Sequence, residues 1–281
     1  MSNTLIPPAF GPGSQIDESE KLDYMEMPRE MAVFDHPIAP EPENTLGMEA
    51  GKAKLHEILN ALNHFKVGQP AKVIAIDGLA ELDLGLVNQL LGEGEVAIVC
   101  GSTIQAQESV LAGVWRVLHF SETGELVRDT VEVTDYPAAV RNRVFAESQT
   151  GVTPVDKQLP AGVFNAPSLI SEMVDKQASY KSGDPVHSIN FTLLPQTEED
   201  LAYIAEKTGK GNTVILSRGY GNCRVSSTNT KNVWWVQYYN SQDAMILNSI
   251  EIIEVPEVVC AAQEDIDDSA ERLREIMEIY Q

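Results

Sequence analysis

Cysteine is scarce in this chain. Cys100, Cys223 and Cys260 are the only three in 281 residues, and no two stand within four residues of each other. That spacing excludes a C-x-x-C redox motif, a rubredoxin-type knuckle and an iron–sulfur run, and an odd number argues against a disulfide framework. Histidine is nearly as rare. His56 and His64 share one helix-like stretch but stand too far apart to bind one metal ion, and His36, His119 and His187 form no H-x-x-x-H pair. Basic residues are few: 20 Lys and Arg face 42 Asp and Glu, a net charge of −22. Such a surface repels nucleic acid and anionic lipid. It suits solubility, and it suits partners that carry a basic segment. No apolar run approaches membrane-spanning length, and no basic region followed by an apolar core opens the sequence. The expectation is a soluble protein of a reducing, cytoplasmic compartment, with no membrane insertion. G-x-S-x-G and S-x-x-K are absent, so no nucleophile is assigned, and no cofactor or metal. The carboxylate pairs worth inspecting are Glu93 with Glu95, and Glu108 with Asp135.

What is present is a repeat. Val114-Trp115-Arg116-Val117-Leu118-His119-Phe120 returns as Val233-Trp234-Trp235-Val236-Gln237-Tyr238-Tyr239. The two copies align without a gap from Val114–Val140 to Val233–Val259, with identities at Val114/Val233, Trp115/Trp234, Val117/Val236, Glu132/Glu251, Pro137/Pro256 and Val140/Val259. A two-residue shift extends the match upstream, pairing Leu91-Gly92-Glu93-Gly94 with Thr208-Gly209-Lys210-Gly211. The period of about 119 residues is too long for a solenoid unit and suits a small domain. A duplicated domain packed with pseudo-twofold symmetry builds a groove between its copies, which more often serves binding than turnover.

Residues 1–48 read as an extended, acidic tail, because they hold seven of the fifteen prolines. Inside it, Tyr24 to Phe34 is an apolar patch that includes Met25, Met27 and Met31. Flexible thioethers in a polar tail suit an adaptable docking segment; the patch suits equally a cover over the chain's own body. Residues 49–150 form the first repeat. Leu55, Ile58, Leu59, Leu62 and Phe65 line one helix face over 51–66. Val73–Ile76 reads as a strand, Leu82–Leu91 as a helix, and Val96–Cys100 as a central strand apolar on both faces. Thr103–Leu111 is polar and helix-compatible. Val114–Phe120 and Leu126–Val133 form an antiparallel hairpin, and Pro137 starts a helix over Ala138–Glu147. Residues 151–185 read as a linker with a short helix over Ser168–Gln177. Residues 186–281 form the second repeat: a strand over Ser188–Leu194, a helix opened by the capping box Thr197-Glu198-Glu199-Asp200, strands over Thr213–Ser217 and Cys223–Ser227, a hairpin of Val233–Tyr239 with Ala244–Ile253, and a last helix over Gln263–Tyr280. The class is α+β, or mixed α/β, twice over, with helices flanking antiparallel hairpins.

Gly92-x-Gly94 and Gly209-x-Gly211 each follow a helix and open none. They offer no helix start to a phosphate and read as helix caps with tight turns. Gly219-Tyr220-Gly221 reads as a further turn. Trp115 and Trp234 occupy equivalent positions and read as anchors of the core or of the contact between copies. Trp235 replaces Arg116 and points to the other face of its strand. It fits an inter-copy contact or a partner surface, where Trp and Arg are favoured.

Asn88-Gln89-Leu90-Leu91-Gly92-Glu93-Gly94-Glu95-Val96, followed by Ile104-Gln105-Ala106-Gln107-Glu108-Ser109-Val110-Leu111-Ala112-Gly113-Val114-Trp115-Arg116-Val117, resembles the HupH/HyaF/HoxQ family of hydrogenase expression/formation proteins. The proline-rich tail and the repeated C-terminal region are similar to that family too, from about Tyr24 onward. The resemblance implies a cytoplasmic, non-catalytic accessory factor for an uptake nickel–iron hydrogenase. It implies assistance to the iron–sulfur small-subunit precursor before twin-arginine export, with thioredoxin-like and rubredoxin-like proteins as further partners. It supplies no catalytic residues. The motif positions Gly92, Glu93, Gly94, Glu95, Gln105, Gln107, Glu108, Trp115, Arg116, Trp234 and Trp235, with Met27 and Phe34 in the tail, are the candidate partner-binding residues. A metal or iron–sulfur carrier in the same pathway, and an enzyme acting between the copies, are the competing readings.

Overall fold

The computed structural model describes residues 40–193, 196–219 and 221–280. The tail's apolar patch, with Met27 and Phe34, lies outside them, as does Tyr220.

The described residues form six α-helices and ten strands. Helix α1 (Glu49–His64) turns Leu55, Ile58, Ala61 and Leu62 inward, the face its three- and four-residue spacing predicts. Strand β1 (Lys72–Ala75) follows, then α2 (Glu81–Leu91), β2 (Val96–Cys100), β3 (Ile104–Glu108), β4 (Val114–Phe120), β5 (Leu126–Val133) and α3 (Ala138–Arg143). The second half repeats this order with α4 (Ala166–Ser179), β6 (His187–Asn190), α5 (Glu198–Thr208), β7 (Lys210–Ser217), β8 (Asn222–Thr228), β9 (Val233–Tyr239), β10 (Met245–Ile252), a 3₁₀ turn (Glu257–Val259) and α6 (Gln263–Ile279).

All ten strands join one antiparallel sheet in the order β1-β5-β4-β3-β2-β7-β8-β9-β10-β6. The order reads alike from either edge. At its centre β2 pairs with β7, Val96 opposite Ser217 through Cys100 opposite Thr213, with Ile98 opposite Ile215 in the middle. Ile215 stands at the position of Ile98 under the two-residue shift, so the central pairing is self-complementary. The groove expected between copies is therefore closed along this line by backbone hydrogen bonds. β2 is the central strand its apolar sequence suggests, but one of its faces is open, since Val99 is 40% exposed.

Three segments differ from expectation. Thr103–Leu111 is not helical: β3 occupies Ile104–Glu108 and pairs with both β2 and β4. The helix after Pro137 ends at Arg143 rather than Glu147. β6 stops at Asn190, whose side chain accepts the backbone N–H of Thr192 and turns the chain away. The segment 151–185 carries α4, which buries Ala166, Leu169, Ile170 and Met173 in the second half's core.

Strand alternation divides the core into three. Val114 faces one way, into a cluster with α1, α2, α6, β1 and β5. Trp115 faces the other way, into a cluster shared by both halves with Val117, Tyr136, Val140, Ile215, Val225 and Trp234. The third cluster mirrors the first, with Val233, Ile250 and Ile252 under α4 and α5. Thus α6, the last helix of the chain, completes the core of the first half. Among the described residues no helix is long and apolar enough to cross a membrane.

Candidate functional site

The first-half motif folds into a compact knot at one end of β2. Gly92 ends α2 with a positive φ of 54°. Gly94 donates its N–H to Glu108 O at 2.7 Å, and a Cβ on it would stand 2.2 Å from Ser109 O, so only glycine permits this approach. Gln107 Nε2 donates to the carbonyls of Gly94 (3.1 Å) and Val96 (3.2 Å) and fastens β3 to the entry of β2. Gly92, Gly94 and Gln107 thus serve the local fold. Glu93 is exposed. Gln105 projects, exposed, from the open face of the sheet beside Val99. Arg116 grips Asp129 with two nitrogens (3.1 and 2.6 Å) and reaches Asn88 Oδ1 at 2.7 Å.

The two equivalent tryptophans are fully buried. Trp115 Nε1 donates to Thr134 O at 3.1 Å, and Trp234 Nε1 donates to Ile253 O at 3.2 Å. Thr134 and Ile253 correspond under the repeat, so the same bond is made in both halves. Trp235 is half-buried. It lies 5.7 Å from the Phe191 ring and donates to Asn248 Oδ1, which makes it a wall of the second half's core.

Glu95 and Glu108 come together in a cleft of about 450 Å³ that both halves line. Glu95, Glu108, Val110 and Ala112 come from the first half. Ser217, Gly219, the 3₁₀ turn, Cys260, Asp265, Asp268 and Ser269 come from the second. Four carboxylates thus face one space, and no lysine or arginine lines it. Burial pushes the Glu108 carboxyl up to about 7, against the Gly113 N–H that favours its anion; Glu95 and Asp265 add to the rise. Burial likewise pushes the Cys260 thiol up to about 12, which favours its protonated form at neutral pH. The suspected pair of Glu108 with Asp135 is divided. Asp135 pairs instead with Arg141 at 3.0 Å.

A second cleft, of about 570 Å³, lies at the corresponding place of the repeat and is lined by Arg141, Phe145, Tyr180, Ser182, Lys231, Asn232 and Glu254. Arg141 stands where the acidic cleft has Cys260, and Lys231 where it has Ala112. The two clefts thus share a position and differ in charge. Sequence reasoning picked out Glu95 and Glu108 but not Asp265, Asp268 or Cys260, nor the basic cleft. The signal that was available is the substitution of Arg141 by Cys260 one residue beyond the gapless alignment. Among the described residues no group of three or more His, Cys, Asp or Glu could hold a metal ion.

Fold and clefts describe a mixed α/β protein built on one sheet from two like halves, with charged recesses between them. The HupH hydrogenase expression protein C-terminal region matches residues 48–151 and 163–280, and the chain belongs to that family. It is 45% identical, over 99% of its length and 98% of the relative's, to the hydrogenase expression/formation protein HupQ of Azotobacter chroococcum. It is 46% identical to HoxQ of Azotobacter vinelandii over 98% of its length and 97% of that protein's. A solved chain, the hydrogenase expression protein HupH from Thiobacillus denitrificans, superposes with a TM-score of 0.38 at 25% identity, covering 41% of this chain and 95% of that one.

Proposed function

We propose that this protein is a non-catalytic accessory factor in the maturation of an uptake nickel–iron hydrogenase, and that it binds the iron–sulfur small-subunit precursor before twin-arginine export, in the cytoplasm. In this reading its halves, 49–150 and 186–281, are copies of one unit, and thioredoxin-like and rubredoxin-like proteins act beside it. The observation that carries the reading is the acidic cleft. It converges four carboxylates on an open space while its one thiol is held protonated, an arrangement suited to holding a cationic partner rather than to bond-breaking. The net charge of −22 steers such a partner toward the surface. The test is co-purification with the small-subunit precursor, with and without its signal peptide, and in parallel with the large subunit. Recovery of the small-subunit precursor alone is the expected result, with an affinity that falls as salt rises. Recovery of neither subunit would sink the reading.

One observation favours a second reading. Glu108, with its carboxyl near neutrality, has the proton affinity of a general acid or base, as an enzyme acting between the halves requires. Turnover of any substrate that Glu108→Gln abolishes without loss of binding would select this reading over the first.

A further inference from the structure

We propose that the seating of α6 on the first half is a proton-operated latch, with Glu108 as the group that titrates at its seat. The latch belongs to the described body itself. It goes beyond the accessory reading, since it needs no partner.

Three observations carry it. First, the seat is built on the Glu108 carboxyl. Glu108 ends β3 and accepts the N–H of Gly113 at 3.4 Å, while the Gly113 carbonyl accepts the N–H of Thr134 at 2.9 Å. Ile266 of α6 packs against Gly113 so closely that a Cβ there would stand 2.6 Å from its side chain. The carboxyl thus holds the turn on which the first turn of α6 rests. Second, α6 brings its own charge to that carboxyl. Asp265 and Asp268 stand in the same turn as the buried Ile266 and line one cleft with Glu108 and Glu95. Docking carries these acids to Glu108, and opening separates them again. Third, the other half has no ionisable group at this place. Ser227 stands opposite Trp234 as Glu108 stands opposite Trp115, and its hydroxyl accepts the Thr213 N–H at 3.0 Å. The turn that corresponds to Gly113 carries Asn232, which lines the second half's open cleft. A carboxyl replaces a neutral hydroxyl in the half on which α6 seats.

The surroundings of Glu108 give the latch its direction. Burial pushes the carboxyl up to about 7 against the Gly113 N–H, and the charges of Glu95 and Asp265 add to the rise. Asp268 and the Cys260 thiol, whose protonated form burial favours, lie in the same wall. Arg218, next after Ser217 and engaged with a partner of its own, is not among the groups that shift the carboxyl. With α6 open, the carboxyl returns to its ordinary range near 4.5. The seated state therefore binds the proton more tightly, and its advantage is present below pH 4.5 and lost as pH rises through 7. Opening uncovers the face of α1 that carries Leu55 and Ile58, in the cluster that Ala270 and Leu273 complete.

The experiment measures amide hydrogen exchange of the full chain at pH 6 and pH 8, corrected for the intrinsic exchange rate at each pH, and follows the ¹³C shift of the Glu108 carboxyl through its titration. Expected is an opening constant of α6 about tenfold larger at pH 8 than at pH 6, with little change in α4 and α5 and a carboxyl midpoint of about 7. Glu108→Gln holds α6 equally closed at both pH values. Asp265→Asn, a change at an exposed side chain, lowers the carboxyl midpoint and narrows the difference between the two pH values. The latch is overturned by a carboxyl midpoint near the ordinary 4.5, by a pH difference that survives in Glu108→Gln, or by faster exchange shared equally among α4, α5 and α6, which marks global rather than local opening. The carboxyl titration is made on the parent chain, so a Glu108→Gln chain that failed to fold would leave the decision to that titration and to Asp265→Asn.

Discussion

Trp115 and Trp234 do the same job twice. Each fills the shared core with its ring and spends its indole N–H on a carbonyl at the corresponding place, so neither indole N–H is left unsatisfied. Trp115→Ala is expected to destabilise the fold by about 3–5 kcal/mol. Trp115→Phe keeps most of the packing and should cost about 1–2 kcal/mol through the orphaned Thr134 carbonyl. Urea denaturation distinguishes the two. Glu108 poses the opposite case, a carboxyl the fold makes uncomfortable when ionised. Its folded value of about 7 lies above its unfolded value of 4.5. The folded state therefore binds the proton more tightly, and the stability it contributes is present below pH 4.5 and lost as pH rises through 7. Glu108→Gln should remove this loss, leaving the variant more stable than the parent at pH 8 by roughly 1–3 kcal/mol after allowing for partial exposure. Equal stability of the two at pH 8 would show that the anion is comfortably accommodated.

At the scale of elements, Asp200 ties two helices together. Its Oδ1 accepts the N–H groups of Phe164, Asn165 and Ala166 at the start of α4, and Oδ2 accepts that of Thr197 at the start of α5. Burial works to raise its pKa, but the Ala166 and Phe164 N–H groups outweigh it and hold the carboxyl below the usual range. A depressed value means that the stability is present above the unfolded value and is lost as pH falls through the folded one. Asp200→Ala is expected to cost about 2–3 kcal/mol at neutral pH and to loosen α4 and α5 first. Hydrogen exchange should show those two helices losing protection before α1 and α6. The capping box itself was legible, because Thr and Asp three residues apart form it locally. The contacts of Asp200 with α4 were not, since they cross 35 residues of chain. β3 is instructive in the same way. Ile104-Gln105-Ala106-Gln107 alternates apolar and polar, a strand signal, but good helix formers mask it. The open hydrogen-bonding edges of β2 and β4 decide the outcome.

For the whole molecule, the shared sheet and the shared tryptophan core make the halves interdependent. α6, at the end of the chain, packs its Ile266, Ala270, Leu273 and Met277 beside Leu55 and Ile58 of α1. Gly113 records this contact. Its φ is 78°, and a Cβ there would meet the Ile266 side chain at 2.6 Å, whereas the corresponding Asn232, at φ 63°, opens into the basic cleft. The described body should therefore unfold in one step. Fluorescence of the tryptophans and far-UV circular dichroism are expected to give coincident urea transitions. Two separated transitions would show that each half holds its own core.

The sequence by itself determined the helix faces, the hairpins, the repeat and the family resemblance, because these depend on local periodicity and on residues close in the chain. It also contained the positions of Glu95 and Glu108. Only the tertiary structure decided that the two halves share a sheet rather than face each other across a groove. Backbone groups at the β2 and β7 edges satisfy one another, and no side-chain pattern reports that choice. Only the tertiary structure brought Asp265, Asp268, Ser217 and Cys260 to Glu108, since the return of α6 to the first half is a packing decision made more than 150 residues away. That return gave one cleft its acids, while Arg141 and Lys231 gave the other its cations.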